Sequence, residues 1–172
     1  MTTLRDDGRT FQELRRPVVN FQDNILSYKA TDTTIFITST PSNYLSFRIE
    51  FSPTLQLSVP LIRNFIEMSL QTASMLTIKI TISDADRAIP AHVLNAVFAY
   101  CAAAGISSNG AVAVGICGQS IDGPDANVFY SEGSGKSYIF GEKISGGEVR
   151  EVMEILRTKC AEVRIVLKEV MQ

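Results

Sequence analysis

The clearest alternation of apolar and polar residues lies in the middle of the chain. Positions 76, 78, 80 and 82 are apolar and alternate with threonine, lysine and serine, which is the period-two pattern of a strand with one buried face. An acidic turn follows at 84–87. Apolar residues then recur at helical spacing on an alanine-rich background that stops at Gly105. This order predicts a strand, a polar turn and a tightly packed helix in direct succession.

Four segments rich in aromatic and β-branched residues precede this strand. They are 17–21, 25–30, 33–38 and 44–51, separated by short turn sequences. We predict that they form an antiparallel meander. Ser58 can then cap a helix, because Pro60 fits its first turn and apolar residues continue at helical spacing beyond it.

The second half of the chain contains shorter elements and then a long amphipathic segment. We predict a strand at 111–118 and a hairpin that pairs 127–130 with 138–141. After Gly146-Gly147, apolar residues form a nearly continuous stripe as far as Val170. The stripe predicts a long C-terminal helix that packs on a sheet, since it covers too few heptads for a free coiled coil.

Size, charge and cysteine content exclude several classes of protein. With 172 residues and 45% apolar composition, the chain predicts a single domain over 1–172, with 1–16 as an N-terminal arm. A net charge of -2 argues against strong nonspecific binding to nucleic acid. No apolar run suits a bilayer span or a secretion signal. Three scattered cysteines give neither a disulfide framework nor a metal motif.

Two apparent catalytic motifs have simpler interpretations. Gly135-Lys136-Ser137 resembles the end of a phosphate-binding loop, but Tyr130 stands where the first glycine is required, and the following residues predict a strand instead of a helix. His92, the one histidine, lies at the start of the predicted helix with no acidic or cysteine partner nearby in sequence. We interpret it as a helix-end or interface residue in preference to a general base.

Acidic residues cluster in two predicted turns. One cluster contains Asp84 and Asp86, and the other contains Asp122, Asp125 and Glu132, on either side of the predicted strand 127–130. Acidic residues are ordinary in turns, yet two turns at strand ends could also meet and hold a divalent ion. Spacing alone leaves both interpretations open.

Two segments resemble RNase PH domains and the related ring subunits of the RNA exosome. The family opening R-x-D-G-R...E-L-R-P is matched by Arg5–Thr10 and Glu13–Pro17. In the central segment, Asp86, Asn95-Ala96 and Ala104–Ile106 hold the places of the family's acidic turn, its helical Asn-Ala pair and its terminal Ala-Gly-Ile. The resemblance spans nearly the whole chain. It implies an α+β, RNase PH-like (ribosomal protein S5 domain 2-like) fold with mixed β-sheets packed with helices and a long C-terminal helix.

Departures from the family pattern imply that the phosphate site is degenerate. Active members are phosphorolytic 3′ exoribonucleases, and a Thr-Arg pair just after the acidic-glycine turn holds their phosphate. Counting from Asp86, that pair falls on Ile89 and Pro90. Neither side chain donates a hydrogen bond, and proline also lacks a backbone N–H. The turn glycines are replaced by Arg87 and Ala88, which restricts close approach of a ligand to the backbone.

A second region of the family's active site is also altered. Active members carry two aspartates six residues apart on a late strand, associated with metal and catalysis. Asp125 takes the first place and Ser131 the second, while Glu132 could compensate only if a bulge shifted the register. One carboxylate is a poor site for a divalent metal, so we interpret this site as vestigial. The arginine-rich insertion with which active relatives grip RNA corresponds here to the uncharged segment 51–58.

The N-terminal arm carries the densest basic cluster in the chain. Because acidic residues are interleaved with it, a salt-bridged surface or a subunit contact is favoured over direct RNA binding. The residues that we assign to weak RNA binding are Arg9, Arg15, Arg16 and Arg87.

The resemblance implies a catalytically inactive, structural subunit of an exosome ring. Its expected partners are other RNase PH-like subunits, RNA-binding cap proteins and single-stranded RNA in the assembled channel, with no cofactor, metal or membrane. The expected locations are the nucleus, with the nucleolus, and the cytoplasm. Two alternatives remain, namely an active phosphorolytic 3′–5′ exoribonuclease and an unrelated α+β module that binds a small ligand.

Overall fold

The structure of the chain is a computed structural model that describes two sheets, the helix between them and parts of two further helical segments. The described residues are 16–30, 33–44, 46–50, 60, 63, 66–67, 76–83, 90–107, 113–117, 120–121, 128–131, 136–139, 150, 153–154, 157–158, 161–162, 164–165 and 167–169.

The first sheet contains five strands in the described part of the chain. They are β1 (Val18–Gln22), β2 (Ile25–Ala30), β3 (Thr33–Pro41), β4 (Ser46–Glu50) and β5 (Leu76–Ser83). β5 confirms the strand predicted from the alternation at 76–82. Ile78, Ile80 and Ile82 are buried while Lys79 between them is exposed, as a strand with one buried face requires.

The predicted four-stranded antiparallel meander is wrong in its last strand. The first three strands pair in sequence order and antiparallel, but the spatial order is β1-β2-β3-β5-β4. β5 lies between β3 and β4, and β4 pairs with it in parallel. The strand that pairs with β3 on this side is therefore β5, which follows β4 in sequence after the segment 51–75.

One helix and a second sheet follow β5. The helix α1 spans Pro90–Ala103, as predicted. The sheet has the order β7-β6-β8-β9, and all of its described pairs are antiparallel. Its strands are β6 (Ala113–Cys117), β7 (Ser120–Ile121), β8 (Val128–Ser131) and β9 (Lys136–Ile139). They confirm the predicted strand near 111–118 and the predicted hairpin, whose second strand begins two residues earlier than expected.

The central helix α1 lies between the two sheets. It contacts β2 and β3 of the first sheet and β6 of the second, and every residue from His92 to Cys101 is buried. A helix that is covered on all sides has no need of a polar face. Ala96 and Ala99 occur within this buried stretch, and their small side chains allow close packing on the face that they share.

The C-terminal end of α1 is closed by a Schellman motif. Ile106 N donates to Cys101 O at 2.7 Å, and Gly105 N contacts Ala102 O at 3.4 Å, which is the paired pattern of this cap. Gly105 has φ +70°, a left-handed conformation that side chains disfavour. The glycine that ends the predicted helix therefore has a backbone role.

Two further segments are helical wherever they are described. Residues 60, 63, 66 and 67 are helical, and Ile66 is fully buried. The described residues from 150 to 169 are also helical, with Leu167 buried. A single long C-terminal helix is not confirmed, because parts of it lie outside the described residues. Within the described chain, no helix is long and apolar enough to cross a membrane.

Replacing the capping glycine is expected to destabilise the fold modestly. A Cβ at Gly105 would meet no atom within 4 Å, so the cost of Gly105→Ala comes from the left-handed backbone and is about 1 kcal/mol. Gly105→Asn should cost less, because asparagine tolerates this conformation. Urea unfolding of the two variants checks this order. Equal stability of Gly105→Ala and the parent chain would contradict it.

Candidate functional site around the central helix

Three of the residues that the sequence assigned to a site are described. Arg16 is exposed and directly precedes the buried Pro17, Pro90 is the first residue of α1, and Ser131 is the last residue of β8. The acidic residues at 84, 86, 122, 125 and 132 lie outside the described chain. So do the other residues assigned to a site, which are Arg9, Arg15, Asp86, Arg87, Ile89 and Asp125.

The start of α1 has few groups with which to bind an anion. The first backbone N–H groups of a helix lack partners inside the helix and can bind phosphate, but Pro90 contributes no N–H. The one polar side chain of the first turn, His92, is 3% exposed and is directed to Tyr28 in the core.

His92 joins α1 to the first sheet. Its Nδ1 lies 3.0 Å from the hydroxyl of Tyr28 on β2, and the two rings are tilted by 49° with centroids 5.8 Å apart. Tyr28 is 1% exposed, so the contact is shielded from water. A general base must reach the proton of a substrate. The burial and the phenol partner therefore give His92 a structural role, at the helix start where the sequence placed it.

Tyr100 forms a second polar contact between α1 and the first sheet. Its hydroxyl donates to Asn24 Oδ1 at 2.9 Å and lies 2.7 Å from Ser39 Oγ. One phenolic proton serves one of these contacts at a time, so the serine hydroxyl can supply the proton of the other. The ring also meets Phe21 edge-on at 5.9 Å. Tyr100 is fully buried and lies about 12 Å along the helix from His92.

Asn24, which accepts the hydrogen bond from Tyr100, lies in a turn with positive φ angles. Asp23 and Asn24 have φ of 50° and 60°, as expected for a two-residue type I′ turn between β1 and β2. Glycine is favoured at the second position of such a turn. The amide of Asn24 instead binds Tyr100 and also donates from Nδ2 to Ser39 O at 3.3 Å. The side chain therefore explains why asparagine occupies this position.

The second sheet contains parts of two sequence motifs, the segment Gly135-Lys136-Ser137 and the late acidic pair at Asp125 and Ser131. Lys136 and Ser137 are part of β9, which confirms that they do not open a helix as a phosphate-binding loop requires. Ser131 pairs with Ala113 on one side and Lys136 on the other. The pairing of 128–131 with both neighbours is regular, so the described ladder contains no bulge that would move Glu132 into the place of Ser131.

Cys101 is buried in α1 as a free thiol. Burial disfavours the thiolate and raises the pKa of Cys101 to about 12. A thiol must ionise to act as a nucleophile or a metal ligand, so this side chain belongs to the core. Among the described residues, no group of three or more His, Cys, Asp and Glu side chains could hold a metal ion.

The surface of the first sheet that points away from α1 was not singled out by sequence reasoning. We call it the outer face. Its central strand presents Phe36, which is 39% exposed between the fully buried Ile35 and Ile37. Three consecutive apolar residues break the alternation of β3, and this break is the signal in the sequence that could have revealed the face.

Charged side chains surround Glu50 on the outer face. Glu50 binds Lys79 Nζ at 3.0 Å and Arg48 Nε at 3.0 Å. The hydrogen bond from Lys79 is the main cause that lowers the pKa of Glu50, and the charge of Lys79 and both interactions with Arg48 add to it. All three groups are solvent-accessible, so their bridges are weak and open to exchange with other ligands.

Comparisons with known proteins bear on the fold. No protein-family model and no curated protein sequence matches the chain. Among solved structures, that of rice (Oryza sativa) Rrp46 is similar with a TM-score of 0.72 and 14% sequence identity, covering 98% of this chain and 100% of that chain. Since Rrp46 is RNase PH-like, the α+β class and the RNase PH-like arrangement expected from the sequence are confirmed as a fold.

A double-mutant cycle is expected to show coupling between Tyr100 and Asn24. Tyr100→Phe removes the hydroxyl and should cost about 1–2 kcal/mol, whereas Asn24→Gly removes the amide without straining the turn. The two changes together should cost less than the sum of the single costs, by about 1 kcal/mol. Urea unfolding measures all four chains. Tyr28→Phe is the matched control, and its combination with Asn24→Gly should be additive.

Cys101 is expected to resist alkylation in the folded protein. At pH 8, iodoacetamide should label Cys101 far more slowly in the folded protein than in guanidinium, as mass spectrometry of the peptide containing it can show. Labelling as fast in the folded state as in guanidinium would refute this expectation.

The raised pKa of Cys101 also makes stability depend on pH. The folded state keeps the thiol proton up to about pH 12, whereas the unfolded thiol loses it near its ordinary pKa of 9.0. The contribution to stability is therefore complete below pH 9 and is lost as the pH rises towards 12.

Proposed function

We propose that this chain is a catalytically inactive, RNase PH-like subunit of an exosome ring, which supports 3′–5′ RNA processing and degradation by partner subunits. The observation that carries the proposal is the match to rice Rrp46 along nearly the whole of both chains. A structural role needs the fold and its surfaces, and it does not need the phosphate and metal sites of an active phosphorolytic enzyme.

The start of α1 supports the absence of catalysis. Pro90 occupies the first helical position, where the family resemblance places the arginine that holds phosphate. Arginine would offer a charged, bidentate donor, whereas proline offers neither a side-chain donor nor a backbone N–H. The neighbouring His92 is committed to Tyr28 in the core, so its Nδ1 does not replace the missing donor.

The end of β8 supports the same conclusion. The resemblance places the second catalytic aspartate at Ser131, which is the last residue of β8 and is paired on both sides. A hydroxyl carries no charge and is a weak substitute for a carboxylate in binding a divalent metal. The regular ladder through Ser131 argues against a register shift that would bring Glu132 into its place.

The sheet order supports side-by-side assembly. Among the described strands, β1 and β4 lie at the edges of the first sheet, and β7 and β9 lie at the edges of the second. Edge strands have unpaired backbone groups that can pair with another chain. We propose other RNase PH-like subunits as neighbours, RNA-binding cap proteins above the ring, and single-stranded RNA in the channel. The proposed locations are the nucleus, with the nucleolus, and the cytoplasm.

Phosphorolysis tests the absence of catalysis. The purified chain, incubated with single-stranded RNA, Mg²⁺ and phosphate, is expected to release no nucleoside diphosphates, because it lacks a donor for phosphate at position 90. An active RNase PH in the same buffer is the positive control. Release of diphosphates in proportion to added phosphate would establish the active enzyme instead.

Purification of the complex tests the assembly. The tagged chain, isolated from its native cell, should be recovered with several RNase PH-like chains in fixed stoichiometry. Recovery as a monomer would contradict a ring subunit and favour an unrelated binding module. The two experiments are independent, because a catalytically active chain could also assemble into a ring and an inactive chain could also remain a monomer.

A further inference from the structure

We propose that the outer face of the first sheet binds single-stranded nucleic acid, with Phe36 stacking on a base and Lys29 and Lys79 binding the flanking phosphates. This inference rests on the geometry of the sheet and does not depend on assembly into a ring.

Phe36 lies near the centre of the outer face. It pairs with Ser27 on β2 and with Thr81 on β5, and Glu50 of β4 pairs with Thr81 in the same row. At 39% exposure, its ring is accessible at a position where the neighbouring strands present small polar side chains. Aromatic side chains on open sheet surfaces stack on unpaired bases, and such stacking tolerates any sequence.

Two lysines lie at opposite corners around Phe36. Lys29 stands two residues beyond Ser27, the partner of Phe36 on β2, and Lys79 stands two residues before Thr81, its partner on β5. Diagonal neighbours of this kind are about 7–8 Å apart, so the lysines are roughly 15 Å apart with the aromatic ring between them. A single-stranded nucleic acid that lies along this diagonal would contact a lysine, then the ring of Phe36, and then the second lysine.

The charge of the outer face is opposite to that of the chain. The chain has a net charge of -2, but among the described residues of this face Lys29, Lys79 and Arg48 outnumber the single acidic residue, Glu50. Arg16 is also exposed two residues before Val18, which extends the basic surface towards the N-terminal arm. Excess positive charge favours a polyanion.

The distribution of apolar residues favours nucleic acid over a protein partner. Val18, Ile25 and Phe36 are exposed on this face, but only Ile25 is a diagonal neighbour of Phe36, and Val18 lies in a separate row on β1. Most positions around them are Thr, Ser, Asn, Gln or Lys. The core of a protein interface requires contiguous apolar area, whereas a single aromatic ring among cations and hydroxyl groups suits a base and its phosphates.

Glu50 acts as an internal competitor in this arrangement. Its carboxylate holds Arg48 and Lys79 at 3.0 Å each, and an incoming phosphate would have to replace it. Glu50→Gln is therefore expected to strengthen binding, because it releases two cations and removes a repulsive charge. A residue with a merely structural role would not give a gain in affinity.

Fluorescence anisotropy with a labelled 12-nucleotide oligouridine tests the proposal on the full chain. Phe36→Ala should weaken binding by about fivefold or more, while Phe36→Tyr should retain it. Lys29→Gln and Lys79→Gln should each weaken binding and lower the slope of log K against log salt by about 0.7. Ile25→Ala is the matched control, because it removes exposed apolar area from the same face without removing an aromatic ring.

The outcomes separate nucleic acid from other occupants. DNA of the same length should bind comparably if stacking and phosphate contacts dominate, and duplex RNA should bind more weakly because its bases are not exposed. Equal affinity of the Phe36→Ala, Phe36→Tyr and parent chains would overturn the proposal. So would photocrosslinking of the oligouridine to the full chain that leaves the β2, β3 and β5 peptides free of RNA. Circular dichroism confirms that each variant is folded.

Discussion

Enclosure of α1 between two sheets is the constraint on which the rest of the fold depends. Every residue from His92 to Cys101 is buried, so the hydrogen bonds of polar side chains on this stretch are made inside the protein. His92 finds Tyr28, and Tyr100 finds Asn24 and Ser39. Both of these contacts join α1 to the first sheet near opposite ends of the helix. They fix its rotation and its position along the strands in a way that alanine and valine packing alone would not.

This enclosure also limits what the start of α1 can do. A helix start that binds an anion needs free N–H groups and polar side chains that face solvent. Here Pro90 supplies no N–H and the Nδ1 of His92 is bound to Tyr28 in the core. The contact between His92 and Tyr28 thus stabilises the fold and also keeps this side chain from binding an anion at the helix start.

How far the sequence predicts the structure depends on how local each interaction is. β5 and α1 are predicted well, because alternation, helical spacing and Gly105 are all contained in a short stretch. The place of β4 is not predictable in this way, since the strand that separates it from β3 comes after the segment 51–75. The burial of His92 depends on a tyrosine 64 residues away. Of the site, Pro90 and Ser131 could be placed at a helix start and a strand end, but their functional meaning came from a family resemblance and not from physical pattern.

The two faces of the first sheet differ in role, because the inner face packs in the core and the outer face is exposed to solvent. On the inner face Ile35, Ile37, Ile78 and Ile80 are fully buried against the rest of the core, so substitutions there would change stability before anything else. On the outer face the side chains can vary with little effect on the core, because a strand alternates between its two faces. Phe36 is then informative, since 39% of this aromatic side chain stays exposed among threonines and lysines. Contact with nucleic acid on the outer face would not require a phosphate site at the start of α1. The same sheet that supports α1 has a second surface on which such contact can be made.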